Sequence, residues 1–412
     1  MDRREFLSRG LAGVSIAATY PLFLGKTADA LEGSPPADRS LVVLQLSGGN
    51  DGLSTVVPYS DPEYGRARAT TRISESQVLR IDERVGLHPS LAELRDVYDR
   101  GELAIVQGAS YPNPTRSHFE AMDVWHAGDP SGSRRGSGWL GRVVDSTCGN
   151  AMNPVASVHL GDGVPLALEG VRSKPLAFRN PEAFRWRGAR GAESAFSGIN
   201  APPREMDGQR PEPLDYLRRV AADASSSSET IRRAAREYRP AVTYPRGNRL
   251  AEDLRLVAAM IASGIPARIY YVSLGGFDTH ANQRGRHDNL MRTVSGALAT
   301  FLGDLRAAGR LDRVLVLAFS EFGRRVAENA SRGTDHGVAA PIFLLGGRAR
   351  GGLHGAHPSL TDLDRGDLRM TVDFRRVYSE VVEGWLGAPA EAVLGRRWEP
   401  LGLIRRADER DY

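Results

Sequence analysis

A mostly parallel α/β fold, with helices covering both faces of the sheet, is predicted by three features of this 412-residue chain. Nearly unbroken apolar runs at 41–46, 103–107, 268–274, 314–319 and 341–345 have strand length and little alternation, as strands buried on both faces do. Between several of them lie segments with apolar residues at helical spacing. Acids, imidazoles and glycine turns then cluster beside the ends of the runs, where open α/β sheets bind ligands.

In order along the chain, residues 1–30 read as a targeting segment. Arg3-Arg4-Glu5-Phe6-Leu7 is a twin-arginine motif, 11–24 is apolar, and Ala28-Asp29-Ala30 offers a cleavage site. The apolar stretch falls short of the ~20 residues a membrane span needs, so no permanent span is expected. An ordinary N-terminal helix is the alternative. The reading predicts a periplasmic or extracellular protein with the twin-arginine export machinery as a partner. Residues 31–412 form one expected domain.

The run 41–46 ends in Ser47-Gly48-Gly49-Asn50-Asp51-Gly52, a buried strand closed by a tight turn. A helix is expected at 91–98, a strand at 103–107, a polar loop at 111–116 and a helix at 117–126. Residues 154–159 read as a further strand. The segment 161–213 is rich in Gly, Pro and Arg and has no period, and reads as an inserted cap region. Helices are expected at 215–236, interrupted by a serine run, and at 250–263. The strand 268–274 then leads to a long helix at 287–308. After the strands 314–319 and 341–345, a closing helix at 372–386 buries Phe374, Val377, Val381 and Trp385.

Composition removes several classes of function. The single cysteine, Cys148, excludes an internal disulfide and multi-thiolate metal sites. The net charge is only +4, and no basic block suggests nucleic acid. Lysine occurs only at Lys26 and Lys174, so arginine carries nearly all the positive charge. There is no phosphate-binding glycine loop and no nucleophile elbow.

Five segments carry candidate chemistry. Asp51 follows the first strand, although Asn50-Asp51-Gly52 is also an ordinary turn sequence. Asp278 and His280, two positions apart after 268–274, can converge on one point, and a carboxylate with imidazole suits zinc, manganese or iron. A loop hydrogen bond between them is the plain alternative. Glu321 follows 314–319 and needs a partner, either Arg324 or Arg325 or a metal. Asp335-His336 precedes 341–345. Thr115-Arg116-Ser117-His118 joins a loop to a helix. Ser117 with Glu120 reads as a capping box, while Ser117 or Thr115 is also a candidate nucleophile. His287, His354 and His357 are weaker candidates for ligand or substrate contacts.

Together Leu44-Gln45-Leu46-Ser47-Gly48-Gly49-Asn50-Asp51-Gly52-Leu53, Ser117-His118-Phe119, Phe277-Asp278-Thr279-His280, Ser320-Glu321-Phe322-Gly323-Arg324, Asp335-His336-Gly337 and Asp373-Phe374-Arg375-Arg376-Val377-Tyr378 resemble the exported bacterial family known as domain of unknown function 1501. The resemblance runs from about residue 41 to 387. That family is similar in layout to the alkaline phosphatase superfamily, which includes sulfatases and phosphomutases. The likeness implies a three-layer α/β/α fold with two divalent metals. Asp51 and Glu321 would hold one with the nucleophile; Asp278, His280 and His336 would hold the other. The superfamily's Asp-His stands here as Glu321-Phe322, and neither Ser117 nor Thr115 fits its nucleophile position cleanly.

The expectation is therefore a metal-dependent hydrolase of a phosphate or sulfate ester, small-molecule or glycan. Ser117 or Thr115 would attack, and Arg324 would hold a non-bridging oxygen. His118, His287, Asp335 and His354 are the possible extra ligands or substrate contacts. Two alternatives stand beside it: an inactive envelope binding protein retaining the fold, and a single-metal hydrolase of another bond.

Overall fold

The structure is a computed structural model and describes residues 38–134, 136–147, 155–182 and 228–406. The expected targeting segment at 1–30, Cys148, residues 183–213 of the expected insertion and most of the 215–236 helix lie outside these residues. Of that helix, 228–237 is described and helical.

In chain order the strands begin with β1 (Ser40–Leu46), β2 (Val56–Val57), β3 (Leu79–Arg80), β4 (Gly86–Leu87) and β5 (Leu103–Ser110). They continue with β6 (Ser157–Leu160), β7 (Leu176–Phe178), β8 (Ile269–Leu274), β9 (Val314–Phe319) and β10 (Ala340–Leu345). Last come β11 (Gly352–His354), β12 (Leu363–Asp364), β13 (Asp367–Leu368) and β14 (Val372–Asp373). The main sheet has nine strands in the order β11-β5-β10-β9-β1-β8-β6-β7, with β14 also paired to β5. β10 is antiparallel to both neighbours, and every other pairing in this sheet is parallel.

Both faces are covered, which explains the unbroken apolar runs. Along β1, Val42, Leu44 and Leu46 point into one core, against Leu94, Leu254, Leu298 and Phe301. Leu41 and Val43 point into the other, against Trp125, Leu140, Val377 and Trp385. The helices Ala92–Asp99, Arg249–Ala262 and Gln283–Ala307 supply the first layer. His118–Ala127, Trp139–Thr147 and Phe374–Glu380 supply the second. Three layers of alternating burial follow from the two-residue period of the strand.

Four expectations change. The segment read wholly as a cap contributes β7 to the sheet edge, because Leu176 and Phe178 find an apolar core to enter. The helix Trp139–Thr147 went unread, since only nine residues carry its apolar face. The long helix begins at Gln283 rather than 287. The closing helix is shorter than expected: Val372–Asp373 pairs with β5, and Phe374–Glu380 runs into a π-helical turn at Val381–Trp385.

Candidate metal centre

The parallel strands β1, β5, β8 and β9 deliver their following loops to one end of the sheet. β10 runs the other way, so the residues before it, including His336, reach that same end. The turn after β1 admits no side chain. At Gly48, φ is +116°, and a Cβ would lie 2.5 Å from the Asp278 amide nitrogen. Glycine there lets the β1 and β8 loops touch.

Three imidazoles turn toward one carboxylate oxygen. Asp278 Oδ1 lies 3.0 Å from His280 Nε2, 3.1 Å from His336 Nε2 and 3.6 Å from His118 Nε2. The ligand atoms of His118, Asp278 and His336 all fall within 4.8 Å of one another. His280 Nε2 is also 2.9 Å from His336 Nε2.

The far nitrogen of each ring is held by an acceptor. His118 Nδ1 donates to Glu321 Oε1 at 2.8 Å, His280 Nδ1 to Asp335 Oδ1 at 3.2 Å, and His336 Nδ1 to the Arg116 carbonyl at 2.9 Å. A neutral imidazole that donates from Nδ1 presents a lone pair at Nε2. With all three rings in that tautomer, three lone pairs and a carboxylate face each other, an arrangement a cation among them relieves. His118 Nε2 is buried without a hydrogen-bond partner, which fits that arrangement. Histidines oriented by carboxylate and carbonyl acceptors are the usual surroundings of a metal. Nitrogen and oxygen donors without thiolate suit zinc, manganese or iron.

Partial burial works to raise the Asp278 pKa, but the bonded Arg324 guanidinium and the imidazoles beside it outweigh burial and hold the carboxyl well below its usual range. The Asp335 carboxyl also lies below the usual range. The Asn329 amide lowers it against a smaller effect of burial, and His280 and Arg325 add to the lowering.

Glu321 is 1% exposed. Its Oε1 accepts from the Gly48 amide at 2.8 Å as well as from His118, so its partner is neither Arg324 nor Arg325. Glu321 supports the centre through His118.

Asp51 does not join the cluster. Burial works to raise its pKa, yet Arg68 holds it far below the carboxylate range. The fully buried guanidinium meets both its oxygens, at 2.6 Å and 3.0 Å, and Ser54 and Gln283 bond it too. Arg68, which sequence reading missed, is the partner of the carboxylate to which the resemblance gave a metal.

Arg324 is also placed differently from expectation. It is 1% exposed, and its guanidinium donates to the carbonyls of Gly48, Gly49, Phe277 and Thr334 and to Asp278 Oδ1. It ties the β1, β8 and β9 loops together, and its fully buried side chain lies out of a substrate's reach. Phe322, the departure from the Asp-His pattern noted in the sequence, packs its ring against His118 and His336, with centroids 4.8 Å and 4.9 Å away.

Ser117 occupies the N-cap position but makes no side-chain cap bond. The expected capping box is replaced by Thr115, whose hydroxyl donates to Glu120 at 2.7 Å and accepts from the Ser117 amide. His287 is buried near Asn50 and Thr55, away from the cluster, and burial pushes it down to about 3, leaving a neutral ring. His354 bonds the Arg350 carbonyl and lies on β11, which pairs with the start of β5 rather than its ligand end. His357 bonds Gln107.

Residues 102–374 match the family described as Protein of unknown function (DUF1501). No curated protein sequence matches the chain. Among solved structures, the chain is similar to the PsFucS1 sulfatase from Pseudoalteromonas sp., at 11% identity and TM-score 0.38, over 94% of this chain and 78% of that one. It is similar also to Ps i-CgsB in complex with k-i-k-neocarrahexaose, at 11% identity and TM-score 0.38, over 89% and 75%. The zinc complex of the C-terminal periplasmic domain of EcEptC from Escherichia coli overlaps 76% of this chain and 73% of its own, at 11% identity and TM-score 0.32. Overlaps at this level say nothing of activity.

Proposed function

The chain belongs to the family Protein of unknown function (DUF1501), and we propose that it is a hydrolase of phosphate or sulfate esters that depends on one divalent metal. The observation that supports this reading is the convergence of three imidazole Nε2 atoms on Asp278, each ring steered by an acceptor at Nδ1. His118, Asp278, His280 and His336 would hold the ion. When bound, it would polarise an ester oxygen and lower the pKa of a water. Glu321, Asp335 and the Arg116 carbonyl keep the rings in the tautomer that binds. Arg68 neutralises Asp51 from within the protein, so one ion is proposed rather than two. Thr115 is the first candidate nucleophile, because Glu120 already accepts its proton in a hydrogen bond. Ser117 is the second candidate.

The twin-arginine motif supports export, and we place the protein in the periplasm or outside the cell, with the export machinery as its partner. Among the described residues no helix is long and apolar enough to cross a membrane.

Metal analysis of protein purified without chelators tests the centre. About one zinc, manganese or iron per chain is expected, lost in Asp278→Ala and His336→Ala while the fold remains. Folded variants that keep full metal content would refute the assignment. An ester screen follows, with turnover expected to vanish in Glu321→Ala.

A second reading, a binding protein without turnover, draws on Arg324, whose guanidinium is fully buried and spent on holding the loops. A metal-loaded protein inert toward both ester classes would favour it.

A further inference from the structure

We propose that Arg116 and Arg325, positioned by Asp367, form a clamp for a tetrahedral oxyanion at the rim of the metal centre. The inference deepens the reading above, because it names what holds the substrate's anionic group. It does not depend on metal being bound.

Both arginines border the centre through their backbones. The Arg116 carbonyl accepts from His336 Nδ1, and the Arg325 amide donates to the Asp335 carbonyl at 3.0 Å. Their side chains are 36% and 38% exposed, in contrast to the fully buried side chain of Arg324. They share one acid. Asp367 is 2% exposed, and its Oδ2 accepts from Arg116 Nε at 2.8 Å and from its Nη2. Its Oδ1 has no hydrogen-bond partner and lies 3.8 Å from Arg325 Nε.

The hairpin that carries Asp367 is built to place it. β12 and β13 are joined by Arg365 and Gly366, with φ of 52° and 86°, a two-residue turn that fixes strand register. One buried carboxylate thus orients two guanidiniums and neutralises one, leaving a net positive charge. A guanidinium has five N–H donors. Arg116 keeps Nη1 free, and the Arg325 guanidinium makes no hydrogen bond among the described residues. Planar forks with open donors match the oxygens of phosphate or sulfate.

The test is calorimetric binding of inorganic phosphate and of inorganic sulfate to the full chain, zinc-loaded and after chelation. Arg325→Gln is the clean variant, since it removes no hydrogen bond within the protein. It is expected to keep wild-type metal content and melting temperature while weakening the bound anion about tenfold. Arg116→Gln should weaken it too. Whichever of the two anions binds identifies the ester class. Equal affinity in wild type and Arg325→Gln, or no binding of either anion to wild type, overturns the clamp. A chain that takes up no zinc, manganese or iron yet binds phosphate through Arg325 refutes the hydrolase reading and leaves the clamp standing.

Discussion

Arg68 and Arg324 are both buried, and each does with a guanidinium what sequence reading gave to other groups. Arg68 also donates to the carbonyls of Val326 and Arg325, so its removal strands a buried carboxylate and two carbonyls at once. Arg68→Ala should therefore cost ~3–5 kcal/mol in denaturant unfolding, the range for breaking a buried ion pair from one side. A loss below ~1 kcal/mol would show that Asp51 finds another partner. Nothing local in the sequence announces this pair. Seventeen positions separate Arg68 from Asp51, and any of the arginines in so arginine-rich a chain had equal claim. His118 was legible as a possible extra ligand or substrate contact, and the structure makes it the ring that links Glu321 to the centre.

At the scale of elements, the main strands and most helices were legible because apolar period and turn residues are local signals. The mostly parallel sheet was legible too, but not the one reversed strand. The run of β10 reads the same in either sense, and only its pairing with β9 and β5 shows that its beginning, which His336 precedes, lies at the ligand end of the sheet. The cap of the His118–Ala127 helix is a second case. Ser117→Ala should change stability by less than ~0.5 kcal/mol, because no cap bond is lost. Thr115→Ala should cost ~1 kcal/mol, since its hydroxyl serves both Glu120 and the Ser117 amide. Thermal melts of the two variants, side by side, decide between them, and equal losses would restore the serine cap.

For the whole molecule, burial of neutral imidazoles sets an acid limit. Burial, with a smaller push from His159, lowers His126 from 6.5 to about 4, where it bonds Gln45 and Tyr271 between the sheet and the Trp125 layer. Below its unfolded pKa the unfolded chain binds a proton that the folded chain refuses. The stabilisation from keeping this ring neutral is complete above pH 6.5 and is lost as pH falls toward about 4. The melting temperature of chelated protein should drop across that interval, and His126→Gln should flatten the drop. A flat wild-type profile would contradict the burial argument. The sequence by itself determined the α/β class, the three layers and the loops that meet at one end of the sheet, because periodicity and turn chemistry act between near neighbours. Only the tertiary structure decided which acid meets a guanidinium and which faces three imidazoles. Those choices rest on contacts between residues far apart in the chain, made within an ångström or two, and no spacing rule encodes them.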